Sequence, residues 1–150
     1  MNSVTRTAKF SIGQPAAEVF PLFSPEGEKR WVPGWDYVNI MGSHELHEDY
    51  VFVTKNHDHA GTEAVWLVKR HEPENFLVQF YRIEPEDKVG VVSVRCSQIE
   101  KELTEVEVTY RYIALGMKGR EFVGGSTSSL YEGFIDEWRR LLVSYFDSHR

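Results

Sequence analysis

The chain opens on an alternation. In "VTRTAKFSI" (Val4 to Ile12), Ala8, Phe10 and Ile12 fall on one face and Thr7, Lys9 and Ser11 on the other. That period of two marks a half-buried β-strand. Gly13 breaks it. Pro15 then suits the first turn of a helix, where its missing N–H has no partner in any case. Pro21 cannot continue that helix straight. Ser24 and Pro25 repeat the start signal, with Ser24 as the cap. Two short helices are predicted, over about residues 15–23 and 25–31, joined at an angle. Pro33-Gly34 closes the second.

From Trp35 onward the apolar positions return to strand-like spacing. "WDYVNIM", "DYVFVTKN", "TEAVWLVKRHE", "NFLVQFYRIEP", "VGVVSVRCSQIE" and "TEVEVTYRYIAL" are rich in β-branched and aromatic residues. The separators "HDHAG", "PEN", "PEDK" and "KEL" are short, so neighbouring strands pair antiparallel. In the last strand Val106, Val108, Tyr110 and Tyr112 face one way, and Glu105, Glu107, Thr109 and Arg111 face water. One face of the sheet is therefore buried against something.

"GMKGREFVGGSTSS" reads as a Gly-rich loop. A long helix follows, over about residues 128–149, with Ser129 and Glu132 at capping-box spacing. Leu130, Phe134, Trp138, Leu141 and Tyr145 form an apolar stripe, widened by Ile135, Leu142 and Phe146. Such a stripe needs a large apolar surface to cover it. No internal repeat, low-complexity segment or linker divides the 150 residues, which suit a single domain spanning 1–150.

Charge and composition narrow the classes. A net charge of −6 with scattered Lys and Arg speaks against nucleic acid or an anionic membrane as partner. The longest apolar run, "AVWLV", is far too short to span a membrane. "MNSVTRTAKF" lacks the apolar core of a signal peptide, and Cys96 is the sole cysteine, so no internal disulfide forms. A cytoplasmic protein, monomer or homodimer, is expected.

Candidate chemistry is sparse. "HELHED" is not a His-Glu-x-x-His motif and falls in a polar connection; His57 and His59 share a strand face but have no evident third ligand. No metal site and no cofactor are expected. His71 is read as exposed. Cys96 lacks a nucleophile signature, and no Gly-x-Ser-x-Gly elbow or phosphate loop occurs. Arg95, inside "VVSVRCSQI", needs a partner if it points inward, whereas Arg82 is expected on the solvent face.

The order strand, two short helices, six antiparallel strands, long helix resembles the helix-grip fold of the START-like (SRPBCC) superfamily. The resemblance covers the whole chain. It is carried by "PAAEVFPLFSPEGEKRWVPGWD" after the first strand and "SLYEGFIDEWRRLL" in the last helix. A Trp-x-x-Gly-Trp stretch after the paired helices also resembles bacterial members of the polyketide cyclase/dehydrase group. The resemblance implies an α+β domain in which a seven-stranded curved antiparallel sheet grips the long helix. Trp31 would then face that helix, Pro33-Gly34 would reverse the chain, and Trp35 would enter the first strand of the meander.

Such a fold usually leaves a cavity. Trp35, Trp66, Phe80, Tyr81, Arg95, Tyr110, Tyr112 and Phe134 are the candidate ligand-binding residues. The expected function is binding of a small apolar or aromatic molecule between sheet and helix. Three readings of the chemistry stay open: pure binding, a polyketide cyclase/dehydrase-like enzyme using Tyr110, Arg95 or His57 as acid or base, or an Hsp90-activator-like interaction module. The charged outer face of the last strand offers no apolar patch for the third.

Overall fold

The computed structural model describes residues 2–55 and 63–149. Strand β1 (Ser3–Ile12) leads into helix α1 (Ala16–Val19), a 3-10 turn (Phe20–Leu22) and helix α2 (Pro25–Glu28). A meander follows: β2 (Tyr37–Val38), β3 (Val51–Lys55), β4 (Glu63–Glu72), β5 (Leu77–Glu84), β6 (Lys88–Glu100) and β7 (Leu103–Ala114). Two helices complete it, α3 (Met117–Gly125) and α4 (Ser128–Ser148). The strands form one seven-stranded sheet in the order β1-β7-β6-β5-β4-β3-β2. All its pairings are antiparallel, as short connections favour for the consecutive strands β3 to β7. This is the expected α+β helix-grip arrangement.

Local chemistry fixes the short helices. Ser24 Oγ accepts from Gly27 N at 2.9 Å, which caps α2. Position 27 must be glycine, because a Cβ there would lie 2.2 Å from the Pro21 carbonyl oxygen. Ala16 N donates to Gln98 Oε1 (2.8 Å) and Thr104 Oγ1 donates to the Gln14 carbonyl (2.6 Å). Both bonds hold α1 against the end of β6 and β7. After α2, Trp35 N donates to the Val32 carbonyl at 3.2 Å, with Gly34 at φ 71°. Pro at the second turn position and a positive-φ Gly at the third are what a type II turn demands.

Register shifts interrupt β4 between Val68 and Arg70 and β6 between Gln98 and Glu100. Such bulges bend a strand and increase its twist, which helps a sheet wrap around a helix. Helix α4 lies on the inner face. Tyr131, Ile135 and Leu142 are its buried residues, and the Tyr131 hydroxyl donates to the Val108 carbonyl at 2.8 Å. Burying side chains such as Ile135 and Leu142 contributes about 1.5–3 kcal/mol each.

Five expectations need correction. The segment read as a Gly-rich loop is mostly α3. Its Gly119 is there for packing: a Cβ would lie 2.0 Å from the Asp87 carbonyl oxygen on the β5–β6 turn. The cap of α4 is Thr127, whose side chain accepts from Leu130 N, not Ser129. The buried stripe of α4 is rotated by about one position, so Leu130 and Phe134 are 67% and 43% exposed. His71 is half-buried and stacks on Phe20, with ring centroids 6.2 Å apart; burial lowers its pKa. The first meander strand is also far shorter than read, because Trp35 and Asp36 precede β2.

Candidate functional site: an aromatic cavity under the last helix

A cavity of about 590 Å³ opens between the sheet, α3 and the N-terminal half of α4. Strand alternation builds its floor. Thr104, Val106, Val108, Tyr110 and Tyr112 are the buried positions along β7, and Tyr110 and Tyr112 reach the cavity wall. Trp66 of β4, Phe122 of α3 and Leu130, Tyr131 and Phe134 of α4 supply further apolar surface. Tyr110 is the hub. Its ring stacks on Tyr112 (5.3 Å) and meets Tyr131, Phe134 and Trp138 edge-on at 6.0, 5.7 and 6.3 Å.

The tyrosines differ in their polar ends. Tyr131 is tied to the sheet, as above. Among the described residues neither the Tyr110 nor the Tyr112 hydroxyl has a protein hydrogen-bond partner, and neither is sealed from solvent-sized space. Burial pushes both hydroxyls to higher pKa, opposed in part by the positive charge of Arg82. Both are therefore neutral donors at physiological pH.

A charged cluster forms one end of the cavity. Arg82 Nη1 lies 2.8 Å and Lys88 Nζ 3.0 Å from the same atom, Glu84 Oε2. These are ion pairs without hydrogen-bond alignment, so that oxygen has no well-formed hydrogen bond. The Arg82 guanidinium sits over Trp66 at 5.5 Å and Lys88 over Phe122 at 4.3 Å. At the opening Arg6 reaches across from β1, donating to the Ser126 carbonyl (2.8 Å) and to Ser128 Oγ (3.2 Å). It thereby fixes the α3–α4 junction that forms the rim.

A second carboxyl, Glu28 at the end of α2, is half-buried and does not line the cavity, and among the described residues no hydrogen bond or ion pair reaches its side chain. Burial raises its pKa to about 8, and its charge acts on Tyr110. Cys96 is inert by the same cause: burial pushes its thiol up to about 12.

Of the eight candidates, Trp66, Tyr110, Tyr112 and Phe134 line the cavity. Phe80 is buried on the same sheet face and backs Trp66 at 5.8 Å. Trp35 lies beyond it, with its ring 6.2 Å from Trp66 and its Nε1 donating to the Pro25 carbonyl at 2.9 Å. Tyr81 and Arg95 are on the other face. Tyr81 follows Phe80 and so points outward, under Lys69 at 5.4 Å. Arg95 lies between the buried Val94 and Cys96, is exposed, and sits opposite Glu107. The two arginines thus exchange the places expected for them. Parity held the signal: if Phe80 is inward, so are Arg82 and Glu84.

His57 and His59 lie outside the described residues. His44 is not near the cavity; its Nδ1 is 3.3 Å from Glu26 Oε2, in a surface cluster where Tyr37 also bonds Glu26. Among the described residues no three His, Cys, Asp or Glu side chains gather as a metal site, and no helix is long and apolar enough to cross a membrane.

No protein-family profile matches the sequence, and no curated protein matches it. Solved structures do. Ginseng major latex-like protein 151 from Panax ginseng superposes with a TM-score of 0.72 at 17% identity, over 97% of this chain and 98% of that one. Norcoclaurine synthase from Thalictrum flavum, in complex with dopamine and hydroxybenzaldehyde, gives 0.67 at 12% identity, over 95% and 87%. An uncharacterised protein from Rhizobium leguminosarum gives 0.68 at 14%, over 97% and 95%. Identities this low carry the fold and nothing of the chemistry: the chain has the helix-grip fold.

Proposed function

We propose that the protein binds a small, mostly apolar or aromatic molecule in the cavity between sheet and α4. One observation carries the reading: the two tyrosine hydroxyls that face the cavity have no protein partner, within walls otherwise dominated by rings. Buried polar groups left unbonded cost about 1–3 kcal/mol each in a dry core, so a wet or ligand-filled space is the arrangement that accommodates them. The volume lies in the range of small-molecule sites. Exposed Leu130, Phe134 and Phe122 at the opening give an apolar ligand a path inward. The test is mass spectrometry of small molecules released from protein purified out of its native host. A stoichiometric apolar or aromatic compound, absent from a variant with the cavity filled by Gly125→Trp, supports binding; equal release from both contradicts it.

A cyclase/dehydrase-like enzyme is the second reading. Glu28 favours it: it is half-buried, without a salt-bridge partner among the described residues, and its charge acts on the cavity residue Tyr110, while its raised pKa is of the kind general acid–base catalysis uses. Norcoclaurine synthase also holds dopamine and hydroxybenzaldehyde in this fold. A bound aromatic or polyketide-like compound that is converted over time, and is not converted by Glu28→Gln, establishes that reading; unchanged compound removes it.

A further inference from the structure

We infer that the charged end of the cavity receives the carboxylate of an otherwise apolar ligand, with Arg82 as the principal donor. The inference rests on the proposed binding function and names the ligand's chemical class. It begins from a count of donors and acceptors. A guanidinium has five N–H donors. Among the described residues Arg82 has one ionic partner, Glu84, through Nη1 alone. Its side chain is 20% exposed, and its remaining nitrogens are not closed off from solvent-sized space. Lys88 shares the same Glu84 oxygen. The Tyr110 and Tyr112 hydroxyls add two further donors within reach of the Arg82 charge, which acts on both.

Arg82 therefore keeps N–H donors that no protein acceptor takes up, beside two tyrosine hydroxyls that can also donate. A ligand that brings acceptors completes the site; one that brings only donors duplicates what is there. Geometry sharpens the choice. The Arg82 guanidinium lies over the Trp66 ring, and a planar fork matches a carboxylate in a way a lysine ammonium does not. Glu28 acts on Tyr110 but does not line the cavity, and the three carboxyls nearest Arg82 and Lys88 are each answered by position. Glu84 already serves two cations. Asp87, 3.7 Å from Lys88, does not line the cavity. Glu121 lines it but is exposed, where water and salt screen its charge.

The test titrates 2-naphthylacetic acid and its primary amide, which share size and ring, into the wild-type protein and three variants. Wild type should bind the acid about ten- to a hundredfold more tightly than the amide, the range for hydrogen bonds to a charged group. Arg82→Gln should lose that preference while still binding the amide. Arg95→Gln makes the same charge change on the outer face and should retain the preference. Glu84→Gln frees Arg82 and should widen the preference, which decides the matter if Arg82→Gln does not fold. Equal binding of acid and amide by wild type, or a preference that survives in Arg82→Gln, overturns the inference and leaves the cavity reading standing. Failure of both compounds to bind wild type overturns the cavity reading with it.

Discussion

Trp31 meets Trp138 edge-on, with ring centroids 5.7 Å apart. Phe23 closes the corner, 5.8 Å from Trp31 and 6.1 Å from Trp138. The indole N–H of Trp31 is spent on the Leu22 carbonyl at 2.8 Å, so the ring is locked to the short helices while its face serves α4. Four residues on, beyond the Pro33-Gly34 turn, Trp35 serves a different surface, the ring of Trp66. The paired tryptophans are thus two plugs, one on the helix side and one on the sheet side.

Trp138 therefore joins α4 to the short helices and to the cavity hub Tyr110. Trp138→Ala should cost about 3 kcal/mol, the low end for deleting a large aromatic, because part of the ring stays exposed. Urea titration measures it. A loss under about 1 kcal/mol contradicts the packing described.

The cavity tyrosines separate stability from binding. Tyr131→Phe removes a buried bond to the Val108 carbonyl and should cost about 0.5–1.5 kcal/mol of stability. Tyr110→Phe removes a hydroxyl with no protein partner; its stability should change by less than about 0.5 kcal/mol, and the loss should appear in ligand affinity. Thermal melts of the two variants, with and without ligand, distinguish the roles. A large stability loss in Tyr110→Phe alone contradicts the assignment.

Glu28 makes stability depend on pH. Its pKa rises from 4.5 to about 8 on folding, so the folded state keeps a proton that the unfolded chain gives up. Stability from this group is complete below pH 4.5 and is lost as pH rises to about 8. Some contact with solvent discounts the effect, leaving about 1–3 kcal/mol. Glu28→Gln should flatten this slope and be the more stable protein at pH 8. Parallel pH profiles for wild type and variant, from denaturant melts across that window, contradict a buried neutral carboxyl.

Periodicity made most of the fold legible. The β7 alternation placed Tyr110 and Tyr112 on the inner face, Ser24 capped α2, and short separators set the meander. The site was legible in part. Phe80 and Tyr81 cannot share a face, and applying that parity along β5 would have brought in Arg82 and Glu84 and left out Tyr81. The α3 helix was hidden partly because Gly119 reflects a close approach to Asp87, a contact far away in sequence. The rotation of α4 was hidden too: an apolar stripe wide enough to include Leu130 and Phe134 does not say which edge meets the sheet and which borders a cavity.

Fluorescence titration tests the central claim most directly. Trp66 lines the cavity, so a planar aromatic ligand bound there should quench emission saturably and raise the melting temperature. Trp66→Phe should keep the thermal shift and lose most of the quenching. A broad panel of such ligands that neither quenches the wild-type protein nor shifts its melting would contradict ligand binding in this cavity.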